Sequence, residues 1–362
     1  MTRVLQIVPR LPPLVDGLGD YAAELGAALT AQHDFNVDYL VTDSNWRPAG
    51  SAAVGNVRTL TMPSATALVA ALEAAASAGP LVVLLHYVGY AYQARGCPRW
   101  LIDGLTAWRQ GAASRQRRLV VMFHELYAFG PPWSSAFWLS PYQRHLTKRL
   151  ARLADDLFTN SERYARWLAR VRPEVREAIW PVLSNIGELD SLPQRDGRPR
   201  ALMVFGRAAT RALIYRDNHS QLAALCAALG IGHLHDVGPR LAVEAMPGIR
   251  GVETIAHGPL AKQEVSALLA RCTAGFINNG DGTLGKSGVF AALCSHGVAP
   301  VTCKRYPDED GLIEGVHYLA LRKDIDVATV TRVGGAAHAW YGKHGRRALA
   351  AGVARLLSGK TP

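Results

Sequence analysis

Short runs of consecutive apolar residues recur along the chain, separated by stretches whose apolar positions fall on one face of a helix. In the first half the runs cover 4–8, 37–41, 81–85, 119–123 and 157–159, and the spacing predicts helices over 20–29, 98–108, 142–154 and 163–171. Continuous rather than alternating apolar strands are buried on both faces, which predicts a parallel sheet covered by helices. Over 185–200 the pattern lapses into NIGELDSLPQRDGRPR, a linker by composition. It then restarts with strands over 201–205, 234–237, 252–255, 275–277, 298–301 and 318–321, helices over 220–229, 262–271 and 288–295, and a helical region over 337–357. The expected architecture is α/β, with two doubly wound parallel-sheet (Rossmann-like) domains facing across a cleft. Their expected extents are 1–186 and 187–336, with a terminal helix over 337–362.

The densest chemical signal lies in the stretch AGFINNGDGTLGKSGVFAALCSHGVAPV, 274–301. A buried strand leads into a glycine-rich loop, Ser287 is placed to cap a helix beginning at Gly288, and Lys286 stands beside the cap. Unpaired backbone N–H groups, a helix dipole and a cation converge there, which predicts a phosphate seat. GDGTLGKS also satisfies GxxxxGK[ST], the pattern of nucleoside-triphosphate hydrolases and phosphotransferases. Such a loop belongs after the first strand of its domain, with acidic residues on later strands, whereas only 75 residues follow Ser287 here (362 minus 287). A nucleotide-sugar site uses the same anion physics without that machinery, and a glycine turn with no ligand is the plainest alternative.

Other candidates sit where predicted strands end. Gly17 and Gly19 follow the first strand and open a helix, a second anion-accepting start. Arg207, Arg211 and Arg216 follow the strand 201–205, and guanidinium groups there suit a diphosphate. His124 and Glu125 end one strand and His86 another, which aims them at a ligand, with His124 favoured. The DxD matches Asp308–Asp310 and Asp324–Asp326 lack the strand context of a metal pair, and His233 and His235 lack a third ligand, so no metal is expected.

Composition narrows the class. With 49% apolar and 19% charged residues the chain is globular, and no apolar run reaches the roughly 18 residues of a membrane span, so a cytoplasmic protein is expected. Five cysteines without metal-finger spacing read as buried thiols. The net charge of +11 favours anionic partners. No nucleic-acid module is visible, so nucleic acid is not an expected partner. An anionic membrane on the inner face accounts for the charge as well as a solvated surface does. Aromatics in FGPPWSSAFW, 129–138, suit a lipid, a saccharide or a core.

Taken in order, PRLPPLVDGLGDY after the first strand, His124 at a strand end, FGRAATR, the strand-loop-helix-strand unit over 276–301 and EGVHYLAL from Glu314 resemble the GT-B glycosyltransferases, of the retaining family 4 type. The resemblance implies a transferase that moves a sugar from a nucleotide diphosphate sugar, a co-substrate rather than a cofactor, to a glycan, lipid-linked or small-molecule acceptor in polysaccharide or glycoconjugate synthesis. It implies that Arg207 with Arg211 or Arg216 holds the diphosphate, helped by Lys286, Ser287 and Gly288, that Gly17 and Gly19 close over the phosphates, and that His124 faces the sugar. The terminal helix would cross back to the first domain. Family members carry two glutamates around the helix after the glycine loop. Here Ala291 and Ala292 stand at one place and Thr283 or Leu284 at the other, so Asp281 and Thr283 become the candidates for donor sugar or ribose. Candidate bases are His124, Glu125 and Asp20, in that order. A P-loop phosphotransferase, and a nucleotide-sugar-binding protein with weak catalysis, are the alternatives.

Overall fold

The computed structural model describes residues 2–14, 16–48, 55–111, 117–174, 178–189, 191–192, 200–242, 246–279, 282–321 and 325–359. Two compact units divide the chain, Met1–Trp180 with Arg346–Pro362, and Pro181–Gly345. The first contains β1 (Thr2–Val8), α1 (Gly17–Gln32), β2 (Phe35–Val41), β3 (Val57–Thr59), α2 (Ala65–Ala76), β4 (Leu81–Tyr87), α3 (Gly89–Tyr92), α4 (Arg99–Gln110), β5 (Arg117–Phe123), α5 (Ser135–Leu153), β6 (Asp156–Thr159), α6 (Glu162–Ala169) and β7 (Ala178–Ile179). The second contains β8 (Ala201–Phe205), α7 (Ala208–Asp217), α8 (His219–Leu229), β9 (His233–Val237), β10 (Glu253–Gly258), α9 (Lys262–Leu269), β11 (Ala274–Ile277), α10 (Gly288–Ser295), β12 (Ala299–Thr302), β13 (Leu319–Ala320) and α11 (Val327–Gly342). The closing helix, α12 (Arg346–Leu357), belongs to the first unit.

Each unit is a parallel sheet. The first runs in the order β3-β2-β1-β4-β5-β6-β7 and the second in the order β10-β9-β8-β11-β12-β13. Val4 pairs with Val37 on one side and Val82 on the other, so β1 is central, as β8 is in its own sheet. Numbered within its unit, the first sheet runs in the doubly wound order 3-2-1-4-5-6-7 and the second in the order 3-2-1-4-5-6, and the direction of winding reverses between β1 and β4 and between β8 and β11. At such a switch point the connections leave to opposite faces of the sheet and open a crevice beyond the strands' carboxyl ends. Leu5, Ile7, Leu40, Val83, Leu85, Val121 and Leu157 from the strands meet Leu101, Leu105 and Trp108 of α4 in one buried cluster. This covering explains why the strands read as unbroken apolar runs.

Several elements differ from the sequence reading. The short strand β3 and helix α2 lie outside the predicted set, as does α7, whose RALIYRD carries two of the candidate arginines. The helical region expected over 337–357 is two helices. α11 ends in a turn through Lys343 and His344, where Lys343 N–H reaches Trp340 O at 3.2 Å and His344 N–H reaches Tyr341 O at 2.8 Å. Gly342 and Gly345 bracket this turn, and two glycines weaken a helix enough for the turn to win. The chain after the break packs as α12 on α1, with Arg346 paired to Glu24 at 3.2 Å and Arg118 donating to Leu356 O at 2.7 Å. The stretch that composition marks as a linker starts inside the second unit, where Ser184 N–H donates to the Tyr341 hydroxyl and that hydroxyl donates to Glu188. Among the described residues no helix is long and apolar enough to cross a membrane.

Leu349 is fully buried in α12. Leu349→Ala is expected to cost about 2–5 kcal/mol in urea unfolding of the whole protein. A change within about 0.5 kcal/mol would show that α12 is not part of a packed core.

Candidate functional site

The second unit has its switch point where β8 and β11 end. Gly206, just past β8, has φ of +125°, and a Cβ placed on it would come 3.3 Å from Val289 Cγ2 in the first turn of α10. The turn after β8 and the start of α10 therefore touch, and a side chain at 206 would be strained as well as crowded. Between β11 and α10 the loop is internally tied. Asn279 N–H donates to the Tyr306 hydroxyl at 3.0 Å, its side-chain amide donates to Thr283 O at 2.8 Å, and Gly282 N–H reaches Asn279 O at 3.2 Å. Leu284 anchors the following 3-10 turn (Leu284–Lys286) in the core, and Gly285 O accepts from Val182 N–H at 2.9 Å. Ser287 then caps α10, its Oγ accepting from Phe290 N–H at 3.2 Å. The amides of Gly288 and Val289 lie in the first turn of α10 and precede any intrahelical acceptor, with the half-buried Lys286 just before them in the chain. Thr283 Oγ1 is covered and has no partner among the described residues. Gly280 and Asp281 lie outside the described residues.

The three arginines divide. Arg207 stands at the N-terminus of α7, exposed, and among the described residues it has no ion-pair partner. Arg211 is buried to 1% exposure and faces inward. Its Nε and Nη2 form a fork on Asp236 at 3.0 and 2.6 Å, and its Nη1 donates to Pro239 O at 2.9 Å and Gly206 O at 3.3 Å. The Tyr215 hydroxyl completes the cluster on Asp236 at 2.8 Å. This corrects the expectation that Arg211 holds a diphosphate, because its charge is neutralised inside the unit, where it braces the β8 and β9 ends. Arg216 lies at the far end of α7 from the turn after β8, exposed and paired with its neighbour Asp217 at 2.6 Å. Asp236 was missed because nothing in HLHDV marks its distant partner.

The switch point of the first unit holds a different cluster. Gln6 of β1, His86 of β4 and His124, immediately past β5, are all buried. Gln6 Nε2 donates to Ala22 O at 3.1 Å, which turns its carbonyl Oε1 toward His86 Nε2 at 2.6 Å. A carbonyl only accepts, so His86 carries its proton on Nε2, and its Nδ1 accepts from His124 Nε2–H at 3.1 Å. Burial pushes the His86 pKa down to about 3, keeping it neutral. The protonated nitrogen of His124 is thus selected from Ala22 outward, which directs its Nδ1 away from this relay. Tyr21 packs edge-on against both imidazoles, with centroids 5.9 and 4.9 Å away, and its hydroxyl is buried without a partner among the described residues. Asp20, next to Tyr21 on α1, is buried, whereas Glu125 is exposed. Asn160 and Ser161, missed by the sequence reading, follow β6 and bury side-chain oxygens that have no partner among the described residues.

Gly17 and Gly19 open α1. Asp16 caps α1, its carboxylate accepting from Leu18 N–H at 3.3 Å, so that helix start already carries a negative charge and a phosphate there would be repelled. Gly19 is buried against the Arg10 carbonyl, where a Cβ would collide with it. Gly17 is exposed. Among the described residues no group of three or more His, Cys, Asp or Glu side chains is placed to hold a metal ion. Ala291 and Ala292 are buried in α10, so that helix presents no carboxylate there. The P-loop reading meets a topological obstacle, since the loop follows the unit's fourth strand and the Ser287 hydroxyl is engaged as a helix cap.

Arg211→Ala strands Asp236 as a buried unpaired charge and is expected to destabilise the protein by about 3–5 kcal/mol, while Arg207→Ala stays within about 0.5 kcal/mol. Chemical denaturation of the two variants checks the contrast, and equal losses would contradict it. His86 has its folded-state pKa depressed, so the unfolded chain takes up a proton first as pH falls. Stability is complete above about pH 6.5 and declines toward pH 3 by about 1.4 kcal/mol per unit from this residue. His86→Gln should flatten the pH dependence of the melting temperature between pH 6.5 and 5, and an unchanged slope would refute the assignment.

No family model matches the chain, and no curated protein matches by sequence. Solved structures do match across nearly the whole chain. Sucrose-phosphate synthase from Thermosynechococcus elongatus aligns over 99% of this chain and 99% of its own at a TM-score of 0.64 and 14% identity. Anabaena Alr3699/HepE in complex with UDP aligns over 99% and 100% at 0.63 and 14%. An alpha-glucosyltransferase (AGT) in complex with UDP aligns over 99% and 100% at 0.60 and 11%. At such identities the likeness establishes the fold, and that fold is the GT-B type implied by the sequence resemblance.

Proposed function

We propose that this protein is a glycosyltransferase that takes a sugar from a uridine diphosphate sugar. The observation that carries the reading is the arrangement at the second switch point. A capped helix start with outward amides touches the turn that leads into Arg207, an arginine with no carboxylate of its own among the described residues. Two solved structures of the same fold are complexes with UDP, which supports a uridine nucleotide as the first donor to test. Arg207, Lys286 and the Gly288 and Val289 amides stabilise the departing diphosphate by fixed charge and oriented dipoles, with Ser287 shaping the seat. Thr283, with its covered hydroxyl, takes the donor's ribose or sugar.

The first unit binds the acceptor, a glycan or a lipid-linked saccharide of cell-surface polysaccharide or glycoconjugate synthesis. Its acid-base group is His124, presenting the nitrogen that the Gln6–His86 relay leaves unprotonated. Glu125, its neighbour in sequence, and Asp20, buried on α1 beside the Tyr21 that packs on His124, are the alternative bases. The missing acid on α10 leaves charge development at the anomeric carbon to be met by the leaving diphosphate itself, a departure compatible with retention.

UDP at 100 times its dissociation constant is expected to stabilise the protein by about 2.7 kcal/mol in thermal unfolding. Arg207→Ala with Lys286→Ala should remove most of that gain. Equal stabilisation of the double variant would show that the nucleotide sits elsewhere, and no stabilisation by UDP, ADP or GDP would refute the reading.

A further inference from the structure

The loop before α5 and the first turns of α5 expose Phe129, Trp133, Phe137, Trp138 and Tyr142, with Trp133 86% and Trp138 71% exposed. These five lie within fourteen residues, and Tyr90, another exposed aromatic, accepts a hydrogen bond from Gln143 of α5 at 3.3 Å. Large apolar rings cluster this way on a surface only where something other than water covers them. The segment is held firmly. The Ser134 hydroxyl accepts from Phe137 N–H and donates to Pro131 O, Ala128 N–H donates to Gln143 Oε1 at 2.8 Å, and Thr147 Oγ1 donates to Leu126 O at 2.6 Å. The rings are therefore displayed, not frayed out of the core.

Cations surround them. Arg144 lies over the Tyr127 ring at 4.5 Å and the Phe129 ring at 5.7 Å, and Arg163 approaches Phe129 at 5.3 Å. Lys148 and Arg152 continue the exposed side of α5. From Leu126 to Ala154 the sequence contains no Asp or Glu. A saccharide platform pairs its rings with carboxylates or amides that hold hydroxyls; here the Asp103 carboxylate beside α5 is taken up by Arg99 at 3.0 Å and Arg149 at 2.8 Å, and the Gln143 amide by Ala128 N–H, Arg95 O and the Tyr90 hydroxyl. A helix with aromatics at one end of its open side and cations along the rest matches an interface of acyl chains and anionic headgroups.

We propose that the face formed by Phe129, Trp133, Phe137, Trp138 and Tyr142, with Arg144, Lys148 and Arg152, docks the protein on an anionic lipid bilayer. The rings enter the headgroup boundary and the cations pair with lipid phosphates. This does not rest on the nucleotide-sugar reading, and its test contains no nucleotide.

The test is flotation of the full chain with vesicles of 30% phosphatidylglycerol in phosphatidylcholine, beside vesicles of phosphatidylcholine alone, with tryptophan emission recorded. Expected are flotation with the anionic vesicles, weakening from 0.1 to 0.5 M salt, and a blue shift quenched by brominated lipid. Trp133→Ala with Trp138→Ala should weaken binding at least tenfold at an unchanged melting temperature, and Lys148→Glu with Arg152→Glu should do so at low salt only. Absence of flotation overturns the proposal, as does flotation of the tryptophan variant equal to that of the wild type, which would place the lipid contact elsewhere. A blue shift produced by soluble glycans and not by vesicles would assign the rings to a saccharide instead.

Discussion

A parallel strand buried on both faces delivers the chain to the carboxyl edge of its sheet, and at a switch point two neighbouring strands send their helices to opposite sides. The polar side chains and helix starts of this protein gather under that constraint. In the second unit it brings Gly206 against Val289, so that the turn after β8 and the amides of α10 share one small surface. In the first it sets Gln6, His86 and His124 side by side on β1, β4 and the end of β5. Neither cluster is local in sequence, and both follow from strand order.

The two clusters are built for different chemistry. Near the start of α10 stand the cations Arg207 and Lys286, with the buried Asp310 carboxylate against Gly285, while Arg211 is turned inward by its fork on Asp236. In the first unit the groups are neutral and ordered by hydrogen-bond polarity. Ala22 O orients Gln6, Gln6 sets the tautomer of His86, and His86 sets that of His124. Burial supports this order, since a charged His86 would have two donors facing a relay that accepts only one way round. The negative charge at the start of α1 further separates the roles, because Asp16 occupies the place where a phosphate would otherwise be attracted.

Much of the fold was legible in the sequence for a simple reason. Strands of a doubly covered sheet are continuous apolar runs, and β8 was read with its observed bounds, as was α10 with Ser287 as its cap. Edge and surface elements were harder to read. β3 has three residues, none of them buried, and α7 carries its buried face on Arg211, Ile214 and Tyr215, so its pattern is masked by an arginine turned inward. The candidate site was partly legible for the same physical reason. Arg207, Lys286 and His124 follow strands and could be picked by position, but the partner that disqualifies Arg211 lies 25 residues away, and Gln6 lies 80 residues from His86. Pairings across a sheet depend on strand order, which single-chain periodicity does not contain.

The central claim is that the amides opening α10, with Arg207 and Lys286, seat a diphosphate. A crystal structure of the protein soaked with UDP tests it most directly. The account predicts phosphate oxygens within hydrogen-bonding distance of the Gly288 or Val289 N–H, with the Arg207 guanidinium on the same diphosphate. A UDP bound with its phosphates away from α10 and Arg207 would contradict it.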